Sequence, residues 1–286
     1  MLYPISGVHN FINGLDHPEG VAAASDGNLY AGGEAGQVYS ISPDGSSVET
    51  IASTGGFCLG VTLDQAGNIY ICDLKKRALF RVNRGGPVEL VLDSVGGRPL
   101  INPNFSVFDS QGNLYFSDSG EWKRDNGIIY RLTHEGKSEV FAPGPFYFAN
   151  GLALDAAEKY LYVVESNLDR VIRIEITAAG KAGRSELYAD GIARIPDGMA
   201  FDEEGNLYVT TYASNCIYRV TPRRQLELIC QDVENLALCQ PTNCAFGGPN
   251  FDRLFVANLG RDHISVLDLK IKGQPLWCHK APDGEK

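Results

Sequence analysis

Glu19, Asn104, Asn150 and Asp197 occupy the same place, just ahead of a short apolar run, in four separate copies of an internal repeat. Two carboxylates and two carboxamides brought together make an oxygen-rich set of charge −2, the kind of cage a hard divalent cation requires. No histidine or cysteine falls in that register, so nitrogen and sulfur ligation of the zinc type is disfavoured. Calcium suits the set best, magnesium or manganese come behind it, and zinc remains the outlying choice. Asn150–Gly151 and Asp197–Gly198 are also favoured turn dipeptides, so any one of the four taken alone reads as a turn residue. Their shared register is what argues for a metal. Leu59 and Thr242 fill the same place in the two remaining repeats and offer no strong ligand.

The repeat that sets this register ends in a strand-like aromatic: GNLY at 27–30, GNIY at 67–70, GNLY at 112–115, KYLY at 159–162, GNLY at 205–208 and DRLF at 252–255. Tyr30, Tyr70, Tyr115, Tyr162, Tyr208 and Phe255 lie 40, 45, 47, 46 and 47 residues apart, the length of one propeller blade. Each copy is too short to bury its own apolar face, so the copies have to stack into one closed object. One copy in full reads DGMAFD at 197–202, the turn EEGN, LYVTT at 207–211, CIYRVTP at 216–222 and LELICQ at 226–231. Those four runs alternate at period two between Gly, Asn, Asp and Pro, and no segment carries a sustained helical stripe. The sequence therefore predicts an all-β chain: a six-bladed β-propeller with four-stranded antiparallel blades, a single domain over residues 1–286, in preference to two stacked sandwiches. Inner strands of such blades line the channel, which makes the four aligned residues neighbours around the axis. VHNFINGLDHPEG at 8–20 aligns with ELYADGIARIPDG at 186–198, so the ring is predicted to be closed by the N-terminal strand, residues 8–12, as the outer strand of the sixth blade. PLWCH at 275–279 is the competing closure.

Composition narrows the partners. A formal net charge of −10 has the wrong sign for a surface that tracks phosphates or anionic lipids, which argues against nucleic acid and membrane. The basic triplet Lys75, Lys76 and Arg77 reads as a solvated hairpin turn. A small-molecule substrate is the expected partner of a monomer or weak homo-oligomer. The run MLYPISGVHNFING has neither the basic start nor the apolar core of a signal peptide, and no apolar run approaches about 18 residues, so a cytoplasmic chain is expected. Seven cysteines without a CxxC pair fit buried thiols, with Cys239 and Cys244 close enough to bridge only under oxidation. D-x-x-G-N at Asp64, Asp109 and Asp202 reads as hairpin turns and lacks the acidic series of a calcium loop. G-x-S-x-G and H-E-x-x-H are both absent, and the five histidines show no ligand spacing. His17, two residues before Glu19, is the one within reach of a water at the cage, although a lone loop histidine reads first as a surface residue. Phe57, Phe105, Phe146, Tyr147, Phe148 and Tyr212 crowd the expected channel mouth, either as core between blades or as an apolar wall for substrate.

PEGVAAASDGNLYAGG at 18–33, NPNFSVFDSQGNLYFSD at 102–118, NGLALDAAEKYLYVVES at 150–166, PDGMAFDEEGNLYVT at 196–210 and PTNCAFGGPNFDRLFVAN at 241–258 resemble the senescence-marker-protein, gluconolactonase and luciferin-regenerating-enzyme family, which includes the regucalcins. That resemblance runs over nearly the whole chain, and LDSVGGRPLINPN at 92–104 also looks like the strictosidine-synthase-like branch. It implies a metal held by Glu19, Asn150 and Asp197, with Asn104 as a fourth ligand or substrate contact. It further implies Asp197 as the catalytic general base or nucleophile. Glu121 resembles a position that touches sugar hydroxyls, and equally fits a solvated loop charge. Two departures stand out: Asn102 where a basic residue is common in sugar lactonases, and Phe105 where aspartate or glycine usually follows the asparagine. They make a polyhydroxylated lactone a poorer expectation and leave Asn102, Phe105 and Phe148 as further substrate contacts. The expected activity is metal-dependent hydrolysis of a lactone. The alternatives are a strictosidine-synthase-like or other secondary-metabolite tailoring enzyme, and a non-catalytic calcium-binding propeller.

Overall fold

A computed structural model of the protein describes residues 2–83 and 86–280, and within them the period-two runs pair into six four-stranded antiparallel sheets arranged as propeller blades. The inner strands are Val21–Ala23, Cys58–Leu63, Pro103–Phe108, Ala149–Leu154, Pro196–Phe201 and Pro241–Gly247. Their first residues define the upper end of the channel and their last residues the lower end. Val8–Asn13 pairs antiparallel with His263–Asp268, so the N-terminal strand completes the sixth blade and closes the ring. Closure by residues 275–279 does not occur, because Trp277–His279 forms a single 3₁₀ turn instead of a strand.

That turn belongs to a segment that crosses the lower end of the channel and ties into five blades. The Gly273 amide donates to the Phe251 carbonyl (2.8 Å), and the Gln274 amide to the Phe201 carbonyl (2.9 Å). Gln274 Nε2 donates to the Leu154 carbonyl (3.0 Å) and Gln65 Nε2 to the Lys280 carbonyl (3.2 Å). His279 Nε2 lies 2.9 Å from the Ala23 carbonyl. Above the segment, an apolar cavity of about 60 Å³ lies in the lower channel, lined by residues such as Val61, Leu152 and Met199.

The aromatic that marks each repeat works between blades. Tyr70 meets Phe108, Tyr162 meets Phe201 and Tyr208 meets Phe246 of the following inner strand edge to face, with centroids 5.1, 4.9 and 5.4 Å apart. Four of these tyrosines also face an arginine on the third strand, which faces a glutamate on the fourth: Tyr70, Arg81 and Glu89; Tyr115, Arg131 and Glu139; Tyr162, Arg173 and Glu186; Tyr208, Arg219 and Glu227. The D-x-x-G-N segments are turns closed by their own side chains. Asp64, Asp109 and Asp202 each accept the backbone amide and the Nδ2 of the asparagine four residues on, at 2.7 to 2.9 Å. Lys75, Lys76 and Arg77 are an exposed hairpin turn, and all seven cysteines are free thiols, Cys239 and Cys244 included. Among the described residues no helix is long and apolar enough to cross a membrane.

Candidate metal centre

The inner strands lose their regular pairing where the site residues stand. Register shifts fall between Pro103 and Ser106, Ala149 and Leu152, Pro196 and Met199, and Pro241 and Cys244, each opposite a regular second strand. Such a bulge leaves residues unpaired on the sheet and re-aims their side chains, here toward the channel axis. At the following position in the fourth and fifth blades, close approach of the neighbouring blade leaves no room for a side chain. A Cβ on Gly151 would lie 2.5 Å from the Asp197 carbonyl oxygen, and one on Gly198 would lie 2.6 Å from Asn243 Cα. Hydroxyls on neighbouring strands then pin the bulged backbone from blade to blade. Ser117 donates to the Asn150 carbonyl (2.8 Å), Ser166 to the Pro196 carbonyl (2.7 Å), Thr210 to the Thr242 carbonyl, and Thr242 to the Glu19 carbonyl (2.7 Å).

Glu19, Asn104, Asn150 and Asp197 are all buried on this ring. Glu19 Oε2 accepts from Asn243 Nδ2 at 2.9 Å, and Asn150 Nδ2 donates to Ser166 Oγ at 3.2 Å. Asn104 Oδ1, Asn150 Oδ1, Asp197 Oδ1 and Asn243 Oδ1 are buried oxygens with no hydrogen-bond partner in the protein. Buried acceptors are normally satisfied, so several together on one ring ask for a ligand that supplies positive charge. Burial, reinforced by the charge of Asp197, holds the Glu19 carboxyl well above the usual carboxylate range, with the Asn243 amide opposing the rise. Burial likewise pushes Asp197 up to about 7, against the Asn150 carboxamide. Two desolvated carboxyls and unsatisfied amide oxygens fit a hard divalent cation, and soft donors are missing from the set.

The remaining predicted residues divide by position. Asn102 stands beside the ring with a buried, unpartnered Oδ1, its backbone N–H donating to Asp118 Oδ1 at 2.7 Å. Phe105 packs in the core between the third and fourth blades, as does Phe146. Phe148 is at the mouth, edge-on to Trp122 at 4.8 Å, and has a left-handed backbone with φ of 60°. Glu121 is exposed and accepts from Asn126 Nδ2 at 3.3 Å, the arrangement of a solvated loop charge. His17 is not aimed at Glu19. Its Nδ1 lies 3.1 Å from Asp16 Oδ1 and 3.6 Å from Glu34 Oε2 on the exposed rim. Asn243 is the residue that register reasoning passed over. Thr242, the aligned residue, is a latch between blades, while Asn243 one place on takes the position held by Gly151 and Gly198 and reaches Glu19. The signal was present in the sequence, since a polar residue replaces glycine at that place in the sixth blade.

Fold and site together define a six-bladed β-propeller that gathers buried, unpartnered side-chain oxygens at the upper end of its channel. The chain belongs to the family described as the SMP-30/gluconolactonase/LRE-like region, whose family profile matches residues 34–259. A strictosidine synthase-like N-terminal profile matches residues 12–41 as well. Among curated proteins, a gluconolactonase of Zymomonas mobilis is 31% identical over 220 residues, covering 66% of this chain and 57% of that protein. Protein strictosidine synthase-like 6 of Arabidopsis thaliana is 26% identical over 213 residues, covering 68% of this chain and 56% of that protein. The chain thus spans little more than half the length of these relatives. Among solved structures, a calcium-binding regucalcin of Agrobacterium tumefaciens superposes with a TM-score of 0.80 at 18% identity, covering 98% of this chain and 99% of that one. At that identity the likeness speaks for the fold.

Proposed function

We propose that the protein is a metal-dependent hydrolase that opens a lactone. The observation that carries this reading is the ring of buried, unpartnered oxygens on Asn104, Asn150 and Asp197 beside the buried Glu19 carboxyl. Glu19, Asn150 and Asp197 would hold the cation, with Asn104 as a fourth ligand or a contact to the substrate. When bound, a divalent cation, calcium in the first place, would supply Lewis-acid polarisation of a carbonyl and stabilise the negative charge that develops on its oxygen as the carbon is attacked. Asp197 is the general base. Burial pushes its carboxyl up to about 7 in the metal-free protein, which makes the carboxylate a stronger base than an exposed aspartate and suits it to take a proton from the attacking water. Asn104 and Asn102 would orient the ester from the third blade, and the paired rings of Phe148 and Trp122 would offer it an apolar wall at the mouth. The gluconolactonase among the relatives and the family to which the chain belongs support the hydrolytic class.

The test is a pH-stat screen of lactones with calcium and with chelator. Turnover that stops on chelation and returns with calcium is expected. Asp197→Asn should lower kcat by at least about a hundredfold, the contribution of a positioned base. Full activity of Asp197→Asn on a lactone that the wild type opens would sink the assignment. A second reading, a tailoring enzyme of the strictosidine-synthase-like kind, draws on the match over residues 12–41 and on the Arabidopsis relative. Conversion of a substrate other than a lactone, undiminished by chelator, would favour it.

A further inference from the structure

A larger cavity, of about 540 Å³, opens on the upper face across the third, fourth and fifth blades, lined by Trp122, Lys123, Tyr147, Ser166, Asn167 and Arg194 among others. It adjoins the cage, because Ser166 in its lining is the residue that accepts from Asn150 Nδ2. Its walls are of two kinds. Trp122 is 46% exposed and Tyr147 36%, large aromatic surfaces left open beside a buried polar site. Lys123 and Arg194 are exposed cations that form no ion pair among the described residues. Asp169 also lines the cavity, but its Oδ1 accepts the Ile195 amide at 2.8 Å. In a chain of net charge −10, the two cations outnumber the one carboxylate in the lining, so this aromatic cavity has a wall of net charge +1, opposite in sign to the chain as a whole. The ring itself offers no such charge, since neutral Asn102 stands there.

We propose that this cavity is a specificity subsite for the part of the substrate remote from the cage: a flat aromatic or similarly apolar body that carries an anionic group. The body lies against Trp122 and Tyr147, and the anion meets Lys123 and Arg194. That the other end is a lactone rests on the function proposed above, whereas binding in the subsite does not.

The calcium-loaded full chain is titrated calorimetrically, and by tryptophan fluorescence, with phthalide and with its ring-carboxylated derivative. Trp277 packs on Phe108 at the lower end of the channel, so a fluorescence change reports Trp122 and should vanish in Trp122→Phe. The carboxylated probe is expected to bind about tenfold tighter than phthalide, the scale of two exposed ion pairs. In the double variant Lys123→Ala/Arg194→Ala that advantage should disappear while phthalide affinity and melting temperature stay unchanged. Equal affinity for the two probes overturns the proposal. So does a preference that survives in the double variant, because the carboxylate is then bound elsewhere. Hydrolysis is read separately. A charge preference without any lactone turnover would sink the hydrolase reading and leave the subsite standing, and turnover without the preference would do the reverse.

Discussion

Glu19 and Asp197 sit in one buried ring without a cation of the protein to balance them, and this gives the metal-free chain a particular pH dependence. The Asp197 carboxyl has a folded value of about 7 against 3.8 ordinarily, and Glu19 is raised as well. A raised folded value means that folding favours the protonated form. The pair's contribution to stability is therefore complete below the ordinary carboxylate range and is lost as the pH rises through about 7. Calcium restores what ionisation removes, so the calcium-induced rise in Tm should be larger at about pH 8 than at about pH 5. Glu19→Gln should shrink that rise by removing one of two ligand charges. An identical calcium shift at both pH values, read by calorimetry, would count against the cage. At this scale the sequence was legible wherever a buried residue of the ring obeyed the repeat, as Glu19, Asn104, Asn150 and Asp197 do. Asn243 was hidden because the bulge brings two successive residues, not one, to the channel, and alignment on the aromatic mark selects only the first.

Strands carry two separable jobs, one at the channel and one at the rim. Near the axis the bulged inner strands are held at a distance that tolerates only hydrogen at Gly198, where a methyl group would meet Asn243 Cα at 2.6 Å. Gly198→Ala should destabilise the fold by about 1–3 kcal/mol and also weaken calcium binding, since the strain lands on the residue that orients Glu19. Denaturant titration and calorimetry with calcium would read the two effects. Away from the axis the tyrosine, arginine and glutamate rows lace three strands of a blade together. The Arg131–Glu139 pair has side chains only 11% and 19% exposed, whereas the Arg81–Glu89 pair is at 38% and 40%. Arg131→Ala should therefore lower stability by roughly 2 kcal/mol, and Arg81→Ala by under about 1 kcal/mol, with metal affinity untouched in both. Equal effects would mean that burial of the pair does not matter. Blade number, strand order and the turn role of Asp64, Asp109 and Asp202 could all be read from period and turn chemistry. The bulges could not, because a shift of pairing over two residues leaves the alternation outside it intact.

At the scale of the ring, closure depends on one strand supplied from the far end of the chain. Removing residues 1–13 takes away the partner of His263–Asp268 and leaves an open sheet edge in the sixth blade. Such a variant should melt at a lower temperature than the intact chain and aggregate, as followed by calorimetry and gel filtration, while a cut in the exposed hairpin at Lys75 and Lys76 should be tolerated. The strand at residues 8–12 was readable because it repeats the pattern of residues 186–190. The segment after Leu269 was not, since it repeats nothing and borrows its hydrogen bonds from five blades. That segment has a consequence for traffic. With the lower end stoppered, the channel is a blind well and not a bore, so whatever reaches the buried oxygens must back out by the way it came. Arrival and departure then share one doorway, each waits on the other, and the groups around the upper mouth govern both rates at once.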